Sequence, residues 1–249
     1  MTGSLELKTI TAGREDLAAG HHVPRHRHLH PYAIVLIDGA FDQVSYAGRV
    51  RVTAGDVLVQ PTLDAHENRM PGGRGARILR LPWLDVDGLG GVFAVADLDA
   101  IVRAAERDPR EAAERASAAC VRQAMRRAAN DLPDELAAEL AGGAVDSLAG
   151  WAERRGVARE TVARGFSAAF GVSARRWRAE LRAREAWLQI VRTADSLAAI
   201  AALTGFADQA HMTRGVSELT GAAPAAWRRD RRVSEYRRSG LHGAAGRPK

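Results

Sequence analysis

Only one cysteine, Cys120, occurs in the 249 residues, which excludes an intramolecular disulfide and any zinc ribbon or finger built on paired cysteines. A reduced, intracellular setting is the default that follows. Long apolar runs are also missing. The longest clear aliphatic stretch, Ala33 to Ile37, is far too short to cross a bilayer. The opening residues, MTGSLELKTI, lack the apolar core of a signal peptide, so a soluble cytoplasmic protein is expected. What the chain does have is 46% apolar and 27% charged residues, enough to bury real cores and too structured a mixture for wholesale disorder. Its length makes two domains of about 100 residues or more the working expectation.

Charge is spread unevenly. Residues 1–149 hold 17 Lys and Arg against 21 Asp and Glu, a net of −4, whereas residues 150–249 hold 19 against 9, a net of +10. A carboxy-terminal half that basic attracts polyanions, nucleic acid first and an acidic membrane surface second. The membrane alternative lacks a suitable apolar-faced helix. On charge alone, a merely solvated arginine-rich surface stays open.

The basic half repeats itself. Shifted by 49 residues, Ser147, Leu148, Ala149, Ala152, Gly156 and Ala158 fall on Ser196, Leu197, Ala198, Ala201, Gly205 and Ala207. Shifted by 50, Arg164, Gly165, Ser167, Gly171, Trp177 and Arg178 fall on Arg214, Gly215, Ser217, Gly221, Trp227 and Arg228. Each copy reads as two short helices around a glycine. The first helix, 147–155 or 196–204, opens on a serine able to cap free backbone amides, and Gly156 or Gly205 supplies the left-handed residue that ends it. The second, 159–170 or 208–219, has one apolar stripe: Val162, Phe166 and Phe170, or Met212, Val216 and Leu219. Its opposite stripe is polar: Arg159, Glu160 and Arg164, or Gln209, Thr213 and Arg214 beside His211. A dry face and a hydrogen-bonding face on the second helix are what a helix-turn-helix needs to reach a major groove.

Between the copies, 173–192 has no Gly or Pro and predicts one helix of about 30 Å, close to the roughly 34 Å between successive major-groove faces. Trp151, Trp177, Trp187 and Trp227 are read as core residues rather than base-stacking platforms, because readers of duplex edges use polar contacts. His211 stays open between a base contact and a helix-surface residue.

The stretch IAALTGFADQAHMTRGVSELTGAAPAAWRR at 200–229 closely resembles the signature of the AraC/XylS transcription regulators. The resemblance extends over about 131–232 and rests on GFADQ, Arg214, Gly221, Pro224 and Trp227–Arg228 at these spacings. Arg182 and Ala186 stand where that family's connecting helix has them. It implies a DNA-binding domain of two helix-turn-helix units joined by a long helix. Base and phosphate contacts are carried over to Arg159, Glu160, Ala163 and Arg164, and to Gln209, Ala210, His211, Thr213 and Arg214. Ala163 and Ala210 cannot hydrogen-bond a base edge. Met212 and Val216 replace commoner phenylalanines, which retunes packing.

Residues 1–95 read as short strands at 32–37, 41–46, 49–53, 56–60, 76–81 and 92–95, with turns at Asp38–Gly39, Ala47–Gly48 and Ala54–Gly55, as in an antiparallel barrel or sandwich. Six of the eight histidines lie between 21 and 66. His26 and His28, two apart on a strand, would share a face, and a barrel could bring His66 beside them. His21, His22 and His30 are placed on exposed loops. The pattern resembles the cupin barrel, with Gly20, His26, His28 and Gly39 spaced as its first motif and Gly55, Pro61 and His66 as much of its second. Tyr32 stands where that motif has its glutamate ligand, and Leu63 where the second has a small glycine. Three imidazoles suffice for a divalent metal such as zinc, nickel, manganese or iron. The alternative is a ligand pocket of His26, His28, Tyr32 and His66 without metal.

From 97 to 141 the chain turns Ala/Arg/Glu-rich and divides at Pro109 and Pro133 into three helical pieces. Val102, Ala105, Ala113, Ala116, Cys120, Val121 and Met125 give apolar stripes suited to leaning on the barrel or on a second subunit; the family resemblance implies dimerisation. Cys120 is read as a packing residue rather than a nucleophile.

The expected fold is therefore α+β: an amino-terminal antiparallel β-barrel, cupin-like, at 1–96, a helical dimerisation segment at 97–130, an all-α double helix-turn-helix domain at 131–232, and a mobile basic tail at 233–249. The expected function is a non-enzymatic, sequence-specific transcription regulator that senses a small molecule or metal. Its expected partners are promoter DNA, a second copy of the chain and RNA polymerase. Two alternatives are a metal-dependent cupin enzyme, dioxygenase or isomerase, with an accessory DNA-binding domain, and an architectural DNA binder with an empty barrel.

Overall fold

A computed structural model describes residues 12–83, 90–121 and 131–229. The chain divides into two compact units at the Val172–Ser173 junction, and each is described by itself. The expected boundaries at 96, 130 and 232 cut the chain differently. Met125 and the tail at 233–249 lie outside the described residues. No helix among those described is long and apolar enough to cross a membrane.

The first unit opens with eight antiparallel strands: β1 (Gly13–Leu17), β2 (His22–His26), β3 (Tyr32–Ser45), β4 (Gly48–Thr53), β5 (Asp56–Gln60), β6 (His66–Arg69), β7 (Ala76–Pro82) and β8 (Gly91–Ala94). They form two sheets that share β3. One runs β1-β7-β3-β5-β8, and in the other β3 pairs with β4 and β6, with β2 outside β6. The pairing does not return on itself among the described strands, so the expected barrel is an unclosed antiparallel array.

The segments at 32–37 and 41–46, expected as two strands about a turn at Asp38–Gly39, are one bent strand. β3 runs through with a bulge between Leu36 and Asp38 and changes sheets there. Gly39 is needed for that bend, because its φ is 84° and a Cβ would stand 2.1 Å from the Gly75 carbonyl oxygen.

Alternation along β3 and β5 separates two cores. Tyr32, Ile34, Leu36 and Leu58 join Phe41, Val52, Met70 and Ile78 between the sheets. Ala33, Val35, Val57 and Val59 face outward, where α1 (Leu98–Ala105) and α2 (Pro109–Val121) cover them with Ile101, Ala104, Ala112, Ala113, Ala116 and Cys120. Within this chain the described part of the apolar stripe packs on the chain's own sheet. The unit ends with α3 (Leu132–Ala141), α4 (Leu148–Glu153) and α5 (Arg159–Phe170), where α3 and α4 both pack on α5.

The second unit is helical: α6 (Ala174–Arg192), α7 (Leu197–Leu203), α8 (Gln209–Thr220) and α9 (Pro224–Arg229). Ser173 caps α6, which runs 19 residues, about 28 Å at 1.5 Å per residue. It buries Trp177, Ala183, Trp187, Leu188, Ile190 and Val191, and α7, α8 and α9 all pack against it.

Candidate functional site

The two copies of the repeat build the same local object. Ser147 and Ser196 accept from the amides of Gly150 and Ala199, each at 3.1 Å, and so start α4 and α7. Gly156 and Gly205, at φ 64° and 73°, turn the chain after them, and Gly171 and Gly221, at 69° and 76°, close α5 and α8 in the left-handed conformation. At Gly205 a second constraint applies: a Cβ would stand 3.7 Å from Arg182 Nε, so the guanidinium of α6 uses the space the glycine leaves. Burial holds Arg182 below the usual arginine range, with Arg178 adding to it.

Each second helix buries the expected stripe. Val162, Phe166 and Phe170 are buried on α5, and Met212, Val216 and Leu219 on α8. The opposite stripes face out. Arg159, Glu160 and Arg164 are exposed with Ala163 half-buried, and Gln209, Ala210, His211 and Arg214 are exposed with Thr213 half-buried. The heads differ at their entry. Asp208 caps α8 by accepting the His211 amide at 2.6 Å, whereas Ala158 offers α5 no side-chain cap. On α5, Arg159 pairs with Glu160 at 3.2 Å. The backbone and Arg159 together hold the Glu160 carboxyl below the usual carboxylate range. Among the described residues Arg164 has no such partner.

All four expected tryptophans are buried. Trp151 donates to Glu139 at 3.0 Å and carries Arg155 3.8 Å above its ring, while Trp227 donates to the Thr220 hydroxyl at 2.8 Å and meets Trp187 edge-on at 5.6 Å. They lock the heads from behind.

The second constellation lies in the strand region. His26 ends β2, His66 starts β6 directly opposite, and His28 lies in the loop after β2 rather than on the strand. The three converge even so: one ligand atom from each lies within 4.8 Å of the other two. His26 Nδ1 meets the Pro24 carbonyl at 2.8 Å and His66 Nδ1 meets the Asp64 carbonyl at 3.0 Å. A carbonyl only accepts, so each ring carries its proton on Nδ1 and turns the Nε2 lone pair to the shared space. That is the arrangement by which proteins orient metal-binding imidazoles. The Tyr32 hydroxyl then donates to His66 Nε2 at 3.1 Å. Burial, reinforced by His26 and His28, pushes His66 well below the ordinary histidine range, leaving it neutral as a ligand must be. Burial also raises the Tyr32 phenol, which stays protonated. Three nitrogen donors, one of which must first release the Tyr32 hydroxyl, suit zinc or nickel better than a hard cation.

Of the other histidines, His21 and His30 are exposed as expected, while His22 is exposed but lies on β2 and pairs with Glu67 at 3.1 Å. Residue patterns did not show the roles of Pro24 and Asp64. Each acts through its carbonyl, two residues before the histidine it orients, which any residue type could supply.

Residues 151–230 match the sequence model of a family described as a helix-turn-helix domain. No curated protein matches the chain. Among solved structures, the chain is similar to the carboxy-terminal domain of AraT, a response regulator from Geobacillus stearothermophilus, at 17% identity over 40% of this chain and 85% of that one, with a TM-score of 0.38. It is similar to ToxT from Vibrio cholerae bound to an unsaturated fatty acid, at 13% identity over 87% and 94%, with a TM-score of 0.39. A transcriptional regulator with an AraC-type DNA-binding domain from Chromobacterium violaceum is similar at 19% identity over 46% and 95%, with a TM-score of 0.36. Values this low mark likeness only.

The match at 151–230 and the twice-built helix pair define a helix-turn-helix DNA-binding domain.

Proposed function

We propose that this chain is a transcription regulator that reads promoter DNA with the exposed stripes of α5 and α8, and that its strand region senses a divalent transition metal held by His26, His28 and His66. One observation carries the sensing: three imidazoles converge with two of their rings already fixed through Nδ1. The metal would be held by the imidazole nitrogens of His26, His28 and His66 and would supply a net positive charge there. What the chain contributes is the orientation of the His26 and His66 rings and a buried phenol, Tyr32, on His66.

On the DNA side, Arg159 is engaged by Glu160, so Arg164 in the first head and Arg214 in the second are the cations left to meet bases or phosphates. Glu160, Gln209, His211 and Thr213 supply hydrogen-bonding groups beside them, and Ala163 and Ala210 supply only shape. The chain acts as a binder without catalysis in this reading. A homodimer and contact with RNA polymerase belong to it as well.

The test uses the full chain and a duplex selected from a random pool by the protein itself. After loading with Zn²⁺ and removal of excess, metal analysis is expected to find one ion per chain. Footprints with Zn²⁺ and with chelator are expected to differ in extent or affinity. A protein that retains no Zn²⁺, or that footprints identically in both conditions, refutes the sensing; failure to select any sequence refutes the promoter reading.

A further inference from the structure

The sheet that presents His66 also grips the first helix-turn-helix unit. Arg49 on β4 donates from Nε to Asp134 Oδ1 at 3.0 Å and from Nη2 to Asp134 Oδ2 at 2.8 Å, a bidentate pair, and Nη2 also reaches Asp131. Asp131 is the N-cap of α3, its other oxygen accepting the Asp134 amide at 3.1 Å, and the Asp134 side chain is only 6% exposed. The same guanidinium lies 5.8 Å from the centre of the Phe170 ring, the last residue of α5. Next to it Glu67 of β6 reaches within 4.0 Å of where a Cβ on Gly171 would stand. One strand residue therefore holds the start of α3 and the end of α5, while the polar stripe of α5 stays exposed.

Two further facts make this more than a packing contact. The first is register. Arg49 pairs with Val44, and Val44 pairs with Glu67, so Arg49 and Glu67 flank Val44 in one cross-strand row and share a face of the sheet. His66 is the neighbour of Glu67 and points to the opposite face, where it meets His26 and Tyr32. A displacement of β6 on the histidine side is thus a displacement of Glu67 and its row on the helix side.

The second is divergence between the copies. The repeat places Thr220 opposite Phe170, and Thr220 spends its hydroxyl inside its own unit on Trp227 and the Val216 carbonyl. Only the first copy carries the aromatic that lies beneath the cation.

We infer that Arg49 is a latch through which the strand region carries the first helix-turn-helix unit, so that occupancy of the histidine site resets the position of α5. The coupling, though not the latch itself, rests on the metal reading above.

Hydrogen exchange on the full chain tests both parts. Arg49→Gln is expected to raise amide exchange across 132–170 at least tenfold and leave 197–220 and strands β5 and β7 as they were. Arg49→Lys, which keeps the charge and loses the fork, is expected to fall between. Unchanged exchange in 132–170, or an equal rise in β5 and β7, overturns the latch, since Arg49 would then be idle or a general stabiliser. Adding Zn²⁺ to the wild type is expected to alter exchange in 132–170, and not to do so in Arg49→Gln. If calorimetry shows Zn²⁺ bound while exchange there stays constant, the coupling is wrong and the metal site stands. If no Zn²⁺ binds, the metal reading fails, and the Arg49 variants alone decide the latch.

Discussion

Replacing Arg214 by alanine separates DNA binding from folding more cleanly than any other change in the reading heads. The side chain is exposed on α8 and has no hydrogen bond or ion pair among the described residues, so its loss breaks neither kind of contact there. Stability is expected to stay within about 0.5 kcal/mol of wild type. By contrast, Arg228 donates to the Asp195 carbonyl, and its removal would confuse binding with unfolding. If Arg214 reads a base through two hydrogen bonds, truncation costs about 1 to 3 kcal/mol, roughly a 5- to 150-fold rise in Kd, confined to the selected sequence. If it neutralises a phosphate instead, affinity falls on every duplex and the slope of log Kd against log salt drops by about 0.9. Fluorescence anisotropy on the selected and a scrambled duplex, over a series of KCl concentrations, distinguishes the two. An unchanged Kd and slope on both duplexes would refute the assignment of α8 as a reading helix. Arg164→Ala is the parallel measurement on α5.

Zn²⁺ at a hundredfold excess over its Kd should stabilise the native state by about 2.7 kcal/mol, or about 5 to 11 °C in Tm for a unit of this size; thermal melts of His26→Gln should show no such shift. In chelator, stability should fall with acid. His66 is depressed when folded, so the unfolded chain takes up its proton first; stability is complete above about pH 6.5 and is lost below it with a slope of up to about 1.4 kcal/mol per pH unit, readable in urea melts. The Cys120 thiol, buried and pushed up to about 11, should resist iodoacetamide at pH 8 until urea is added; rapid native alkylation would contradict its place on the sheet-facing side of α2. Gly39→Ala should cost about 3 kcal/mol or more, because it adds a positive-φ penalty to a backbone clash, and a wild-type denaturation midpoint would show that β3 does not bend there.

The helical half was legible because its signals are local. A serine cap, a left-handed glycine and a stripe at helical spacing each act within a few residues, and duplication printed them twice. The strands were less so. β1, β2 and β6, with sequences GREDL, HVPRH and HENR, lack apolar alternation, since their order comes from pairing with distant strands rather than from their own pattern. The Asp38–Gly39 signal was real in that it marked a positive φ, but a bulge needs the same glycine as a turn. His28 shows the reverse error: it meets His26 without lying on the strand that was to bring it there. Arg49 could not have been singled out, because its partners are 82 and 85 residues away; only the break in the helical run at Pro133 was visible.

The duplicated unit also works as an internal control for what in it is constrained. Both copies keep the serine cap, the two left-handed glycines, the buried stripe and an exposed arginine at equivalent positions, 164 and 214. What supports that shared geometry differs. In the first copy Trp151 and Arg155 engage Glu135 and Glu139 of α3, and Arg49 holds α3 in turn. In the second, Met212, Val216 and Leu219 face a core built with α6, and the Thr220 hydroxyl ties Trp227 of α9 to the end of α8. If helix geometry alone were under selection, one kind of support would serve both. The first head is thus tied to the strand region through Arg49, while the second is braced by helices of its own unit, so one duplicated geometry is reached by two different sets of contacts.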